Sequence, residues 1–191
     1  SATDLSGNQA SDVLRILVEE PFGVTLTGTP GDDELLGGAA RDTLVGLAGA
    51  DFLDGAEASD TLDGGYGDDV LIGGEGADTL EGGPDNDGLY AGSGADTLFG
   101  GAGSDNLAGD EGDDTLAGGA GSDVITGAEG NDVYHYALGD GRDFLYELSG
   151  VAGNDRRLHR PVLPRSGAGA RAGRLPAALE RHVPPVRRRP P

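Results

Sequence analysis

Twelve aspartates stand nine residues apart through the middle of the chain: Asp33, Asp42, Asp51, Asp60, Asp69, Asp78, Asp87, Asp96, Asp105, Asp114, Asp123 and Asp132. A carboxylate is a hard oxygen ligand, and a row of them in fixed phase among glycines suits a hard divalent cation. Ca2+ fits best, because it accepts six to eight oxygens in flexible geometry and mixes carboxylates with main-chain carbonyls. Mg2+ demands stricter octahedra, and Zn2+ asks for His or Cys, which these segments lack. The chain has no Cys, so neither a disulfide nor a thiolate site can staple it.

The aspartates are one position of a longer pattern. A period of nine runs without insertion from Gly28 to His135, twelve units in all, as in Gly64–Ile72 (GGYGDDVLI), Gly73–Glu81 (GGEGADTLE) and Gly100–Ala108 (GGAGSDNLA). Asp holds the sixth position of every unit, and the eighth is Leu in ten units, then Ile125 and Tyr134. Gly takes the first position except at Ala91, and the fourth except at Ala40, Ala58 and Asp85. Ala40 and Ala58 fall in consecutive loops of one column, which marks the Asp42–Asp60 gap as the weakest. Asp85 predicts an irregular loop around Asp87. The cleanest loops carry Asp69, Asp78, Asp96, Asp105 and Asp123. Fifth-position Asp32, Asp68 and Asp113 are either extra ligands or solvated side chains.

Two kinds of local structure must position these carboxylates. The first six residues of each unit form a glycine-rich loop, since repeated Gly implies tight turns at positive φ, where other residues pay about 1–2 kcal/mol. The last three form a short strand. Its side chains alternate, with Leu facing in and Thr43, Thr61, Thr79, Thr97, Thr115, Asp54, Asp63 and Glu81 facing out. A three-residue strand cannot stand alone, so successive strands must stack with their loops on alternate sides. The spacing therefore predicts an all-β fold, a flattened parallel solenoid of six eighteen-residue coils, each advancing about 4.8 Å. Its interior is a thin Leu stack, and a column of Asp-bearing loops runs along each edge.

A loop and its neighbour eighteen residues on can sandwich one ion, and two columns of six loops hold up to about ten such gaps. The repeat block carries 25 acids against Arg41 alone, a net of −24. Calcium ions between the loops would nearly offset that charge. One Leu per nine residues is also too thin a core to order the chain unaided. Folding is therefore expected to require metal.

These units resemble the GGxGxDxUx repeats of the RTX, or haemolysin-type calcium-binding, family over residues 28–135. The resemblance implies a right-handed parallel β-roll with Ca2+ between loops, held by the twelve sixth-position aspartates. It also implies export of a bacterial protein by a type I secretion apparatus, an extracellular location, and folding where Ca2+ is met.

The flanks differ from the repeat. Residues 1–27 are a lead-in: Val24 to Thr27 read as a strand in repeat phase, and Ser11–Glu20 (SDVLRILVEE) as a short helix stopped by Pro21 or as a strand. Its start, without Met or a secretory signal, suggests a processed chain or a fragment. Residues 136–150, including Tyr136–Glu147 (YALGDGRDFLYE), read as a coil that closes the Leu stack. Residues 151–191 hold ten Arg against Asp155 and Glu180 and seven of the ten prolines. Gly150–Asp155 (GVAGND) begins another unit before the pattern collapses into a tail that is either disordered or frameshifted.

Acidity, −21 overall, argues against nucleic acid as a partner. No apolar run approaches the length of a transmembrane helix. There is no HExxH, GxSxG, complete GxGxxG or EF-hand pattern, and His135, His159 and His182 have no metal-ligand spacing. The chain reads as no enzyme in itself. It reads as a calcium-binding roll that folds on Ca2+ and stabilises or aids export of a larger secreted protein. The alternatives are an accessory module of a secreted enzyme (metalloprotease, lipase or alginate epimerase) whose catalytic domain lies upstream, and a spacer or ligand platform of a surface adhesin.

Overall fold

The structure, a computed structural model, describes residues 14–17, 22–137, 139–146 and 156–160. Among these residues there is no helix, and so none long and apolar enough to cross a membrane. Sixteen strands form two parallel sheets of eight, and the chain alternates between them. One sheet takes β1 (Leu14–Leu17), β3 (Asp33–Gly38), β5 (Phe52–Glu57), β7 (Val70–Glu75), β9 (Gly88–Ser93), β11 (Asn106–Ala108), β13 (Val124–Thr126) and β15 (Phe144–Tyr146). The other takes β2 (Thr25–Thr27), β4 (Thr43–Ala48), β6 (Thr61–Tyr66), β8 (Thr79–Pro84), β10 (Thr97–Gly103), β12 (Thr115–Gly121), β14 (Val133–Ala137) and β16 (Arg156–Arg160).

Register follows the repeat. Leu53 pairs with Leu71 and Leu62 with Leu80, so one coil is two nonapeptides. Leu35, Leu44, Leu53, Leu62, Leu71, Leu80, Leu89, Leu98, Leu107 and Leu116 are fully buried, and Ile125 and Tyr134 extend the same stack. Outward positions such as Thr61, Asp63, Thr79 and Glu81 are exposed or half-buried, as the alternation requires.

Strands are longer than the three residues predicted. Most span six or seven, running from position seven through position three of the next unit, with Gly74 paired to Gly92 and Gly101 to Gly119. In a parallel stack of identical coils any backbone that repeats can pair, so the glycines join the ladder and the turn shrinks to positions four to six. Position one then faces inward like position eight: Gly64 of β6 and Gly73 of β7 are buried. Ala91, the one non-glycine there, is also fully buried.

The solenoid exceeds the six coils counted from the repeat. At its start, Leu14–Leu17 is a strand, paired to β3. At its end, β15 pairs with β13 at Ile125↔Leu145, twenty residues on instead of eighteen. β15 therefore continues the coil after two extra residues, and Leu145 packs against the Leu stack. β16 pairs with β14 so that Arg157 takes the register of Tyr134. Residues 1–13 and 18–21 of the lead-in, and residues 147–155 and 161–191 with most of the Arg- and Pro-rich tail, lie outside the described residues.

Candidate metal centres

The fold sorts the twelve aspartates into two columns, one along each edge, and buries all of them to 3% exposure or less. Each column is tied from within. The N–H of Asp33 donates to Asp51 Oδ1 (2.8 Å), and the pattern repeats from Asp51 to Asp69, Asp69 to Asp87, Asp87 to Asp105 and Asp105 to Asp123. On the other edge Asp42 donates to Asp60, Asp60 to Asp78, Asp78 to Asp96, Asp96 to Asp114 and Asp114 to Asp132, at 2.7–3.0 Å. Every sixth-position carboxylate from Asp51 onward thus uses one oxygen to cap the coil before it.

The second oxygen has a different fate. In Asp51, Asp60, Asp69, Asp78, Asp87, Asp96, Asp105, Asp114 and Asp123, Oδ2 is buried and meets no hydrogen-bond donor. In the units that begin with Gly it folds over that glycine and, for Asp51, Asp60, Asp69, Asp78, Asp87, Asp105 and Asp114, toward the first-position carbonyl one coil on. A methyl group built on Gly46 would strike both Asp51 Oδ2 and the Gly64 carbonyl, and Gly82 and Gly100 stand in the same relation to Asp87 with Gly100 and Asp105 with Gly118. Side-chain and main-chain oxygens therefore converge around position one, where Gly leaves room in every unit but that of Ala91. Buried acceptors without donors are costly unless a cation is among them.

Burial also sets their charge. Desolvation, only partly offset by the N–H bond to Oδ1, pushes Asp60, Asp69, Asp96 and Asp105 up to about 6 and Asp87 and Asp114 up to about 7. Asp51, Asp78 and Asp123 are raised for the same first reason. Among the described residues no three His, Cys, Asp or Glu side chains cluster as a metal site. Any ion here must draw on main-chain carbonyls as well, which suits Ca2+ and not Zn2+.

The loops supply such carbonyls through their backbone conformation. From Leu47 to Gly141, positions two and four are left-handed in every loop, whichever residue is present: Leu47 (φ 85), Ala56 (76), Ala58 (77), Asp85 (81), Asp110 (66) and Ala128 (71) match the glycines around them. Coils stack so closely at these positions that a Cβ on Gly65 would meet the Leu47 carbonyl, and one on Gly67 the Gly49 carbonyl. The irregular loop expected at Asp85 is absent, because the stack above and below imposes its turn. Ala58 likewise keeps the turn, and Asp60 keeps an unpartnered Oδ2.

Fifth-position carboxylates serve the backbone. Asp32, Asp68 and Asp113 accept the N–H of Ala50, Asn86 and Asn131 one coil on, at 2.8–2.9 Å, on the exposed side of the loop. The bonds from Asn86 and Asn131 hold Asp68 and Asp113 below the usual carboxylate range.

Two residues outside the predicted set join the site. Asp143 accepts the N–H of Asp123 through Oδ1 at 3.2 Å, taking the place of a thirteenth sixth-position Asp. Its signal lay in Gly139–Leu145 (GDGRDFL), where Gly, Gly, Asp and Leu keep the repeat order behind a two-residue insertion. Tyr134 replaces Leu at the last full unit, and its hydroxyl accepts the N–H of Gly127 at 2.9 Å. A hydroxyl at the end of the apolar stack can take a backbone donor that a Leu would leave.

A family model described as the RTX calcium-binding nonapeptide repeat (4 copies) matches residues 27–62, 54–89, 63–98, 81–116, 99–134 and 108–145. No curated protein matches the chain.

Proposed function

The chain belongs to the RTX calcium-binding nonapeptide-repeat family, and from that premise we propose that its roll is a calcium-dependent fold. We read it as an appended part of a larger secreted bacterial protein, exported by a type I apparatus and stabilised outside the cell. The observation that carries this reading is the row of buried, donor-less Oδ2 atoms from Asp51 to Asp123, with a carbonyl of the next coil beside those of Asp51, Asp60, Asp69, Asp78, Asp87, Asp105 and Asp114. Bound Ca2+ supplies positive charge and a demand for six to eight oxygens. The chain does the rest: the aspartates hold ligand oxygens in two columns, left-handed turns keep the loops superimposable, and the Leu stack sets coil spacing. Without metal, 25 acids against one Arg in residues 28–135 repel along the whole stack.

Far-UV circular dichroism of the full chain with Ca2+ and then with a chelator tests the mechanism. The expected result is a reversible change from disordered to β signal, and unchanged β content in chelator overturns it. Export is tested separately by co-expressing a type I apparatus and measuring the chain in the medium. Retention inside the cell overturns that part alone.

A further inference from the structure

The first two loops of the repeat are built differently from all that follow. In both, the sixth-position Oδ2 has a donor from its own unit: Thr29 N–H reaches Asp33 Oδ2 at 2.5 Å, and Gly38 N–H reaches Asp42 Oδ2 at 2.8 Å. Thr29 Oγ1 adds a second donor to Asp33, at 3.1 Å from Oδ2. Neither loop is left-handed at positions two and four: Thr29, Gly31, Gly38 and Ala40 are absent from the positive-φ residues, whereas every later loop has both turns. The two differences are linked, since the unflipped turn aims the position-two N–H at the carboxylate.

The geometry points to a metal ladder that begins at Asp51 and Asp60, with Asp33 and Asp42 closed by the N–H groups of Thr29 and Gly38 as a metal-free cap on the first coil. An N–H directed at Oδ2 occupies the direction from which a cation would approach and brings a partial positive charge toward it. Oδ2 of Asp33 still lies beside the Gly46 carbonyl, as its counterparts do in later coils, so the site is framed but already filled by the donor. The cap also has a structural use. Only β1 and β2 stack ahead of β3 and β4 among the described residues, and a loop that satisfies its own carboxylate can hold this start of the stack in place.

This inference rests on the calcium reading, and one experiment separates the two. Bound Ca2+ per chain is counted by native mass spectrometry and calorimetric titration for wild type, for Asp33→Asn with Asp42→Asn, and for Asp51→Asn with Asp60→Asn, each checked for wild-type circular dichroism in saturating Ca2+. The expected result is an unchanged count for the first pair and a loss of about two ions for the second. Equal losses from both pairs overturn the metal-free cap. A wild-type chain that binds no Ca2+ overturns the calcium reading itself. Anomalous scattering from a calcium-grown crystal of the wild-type chain needs no variant. A peak beside Asp33 or Asp42 Oδ2 refutes the cap, and peaks starting at Asp51 and Asp60 support it.

Discussion

The N–H of Asp60 donates to Asp78 Oδ1 at 2.7 Å, while Asp78 Oδ2 is buried without a donor. One carboxylate thus caps a coil with one oxygen and offers the other to a cation, and two substitutions separate these roles. Asp78→Asn keeps an oxygen for the Asp60 N–H but removes the charge. It should cost one bound ion and raise the half-saturating Ca2+ concentration severalfold, while the Asp60 N–H keeps its acceptor. Asp78→Ala also leaves a buried N–H unpaired, which costs about 1–3 kcal/mol, so it should lower the melting temperature even in saturating Ca2+. Equal melting temperatures for the two variants would refute this division.

Leu47 carries a left-handed backbone (φ 85) in a loop where the same position is Gly in most later units, and its side chain is 42% exposed. Relief of the Cβ clash returns about 1–2 kcal/mol, against about 0.5–1 kcal/mol for the extra freedom of Gly in the unfolded chain. Leu47→Gly should therefore stabilise the calcium-bound roll, seen as a higher melting temperature. A lower one would mean that the exposed Leu contributes packing.

Much of this was legible in the spacing. Coil length, sheet alternation, the Leu stack and the two Asp columns all follow from one residue type held in phase, because in a parallel stack each coil repeats the environment of the last. What the residues concealed depends on neighbours. Asp85 and Ala58 look like defects in isolation, yet adjacent coils hold them in the turn. Asp143 was hidden by a two-residue insertion that the ladder absorbs. The first two loops carry the same Asp as the rest, and only their backbone direction sets them apart.

Leu80 is fully buried mid-stack, and Leu26, at 8% exposure, sits near the open end. Large-to-small changes at buried leucines cost about 2–5 kcal/mol, and in a solenoid each coil touches only its neighbours. Leu80→Ala should interrupt the stack and lower the melting temperature well below that of Leu26→Ala, whose loss only frays an end. Indistinguishable melts would argue for a fold whose stability resides almost wholly in the metal columns.

The raised carboxylates predict opposite pH responses with and without metal. A carboxyl pushed up on folding holds its proton more tightly in the folded chain than in the unfolded one, where it titrates near about 4. The folded chain therefore binds more protons between about 4 and the folded values, and its stability falls as pH rises through that window. Those values are about 6 for Asp60, Asp69, Asp96 and Asp105 and about 7 for Asp87 and Asp114. In chelator, acidification from about pH 7.5 to about 4.5 should accordingly increase β content, as protons remove the charge that burial penalises. In Ca2+ the sign reverses, because the ligating form is the carboxylate. The half-saturating Ca2+ concentration should climb as pH falls below about 7, and Ca2+ binding should release protons at about pH 5, where acid has folded the metal-free chain, and few at about pH 7.5, where that chain is disordered with its carboxylates ionised. Calorimetric titration in buffers of different ionisation enthalpy measures that release directly. A proton count near zero at about pH 5 would show that the aspartates are already ionised in the metal-free chain at that pH, and would assign the pH response to unfolding instead of to the sites.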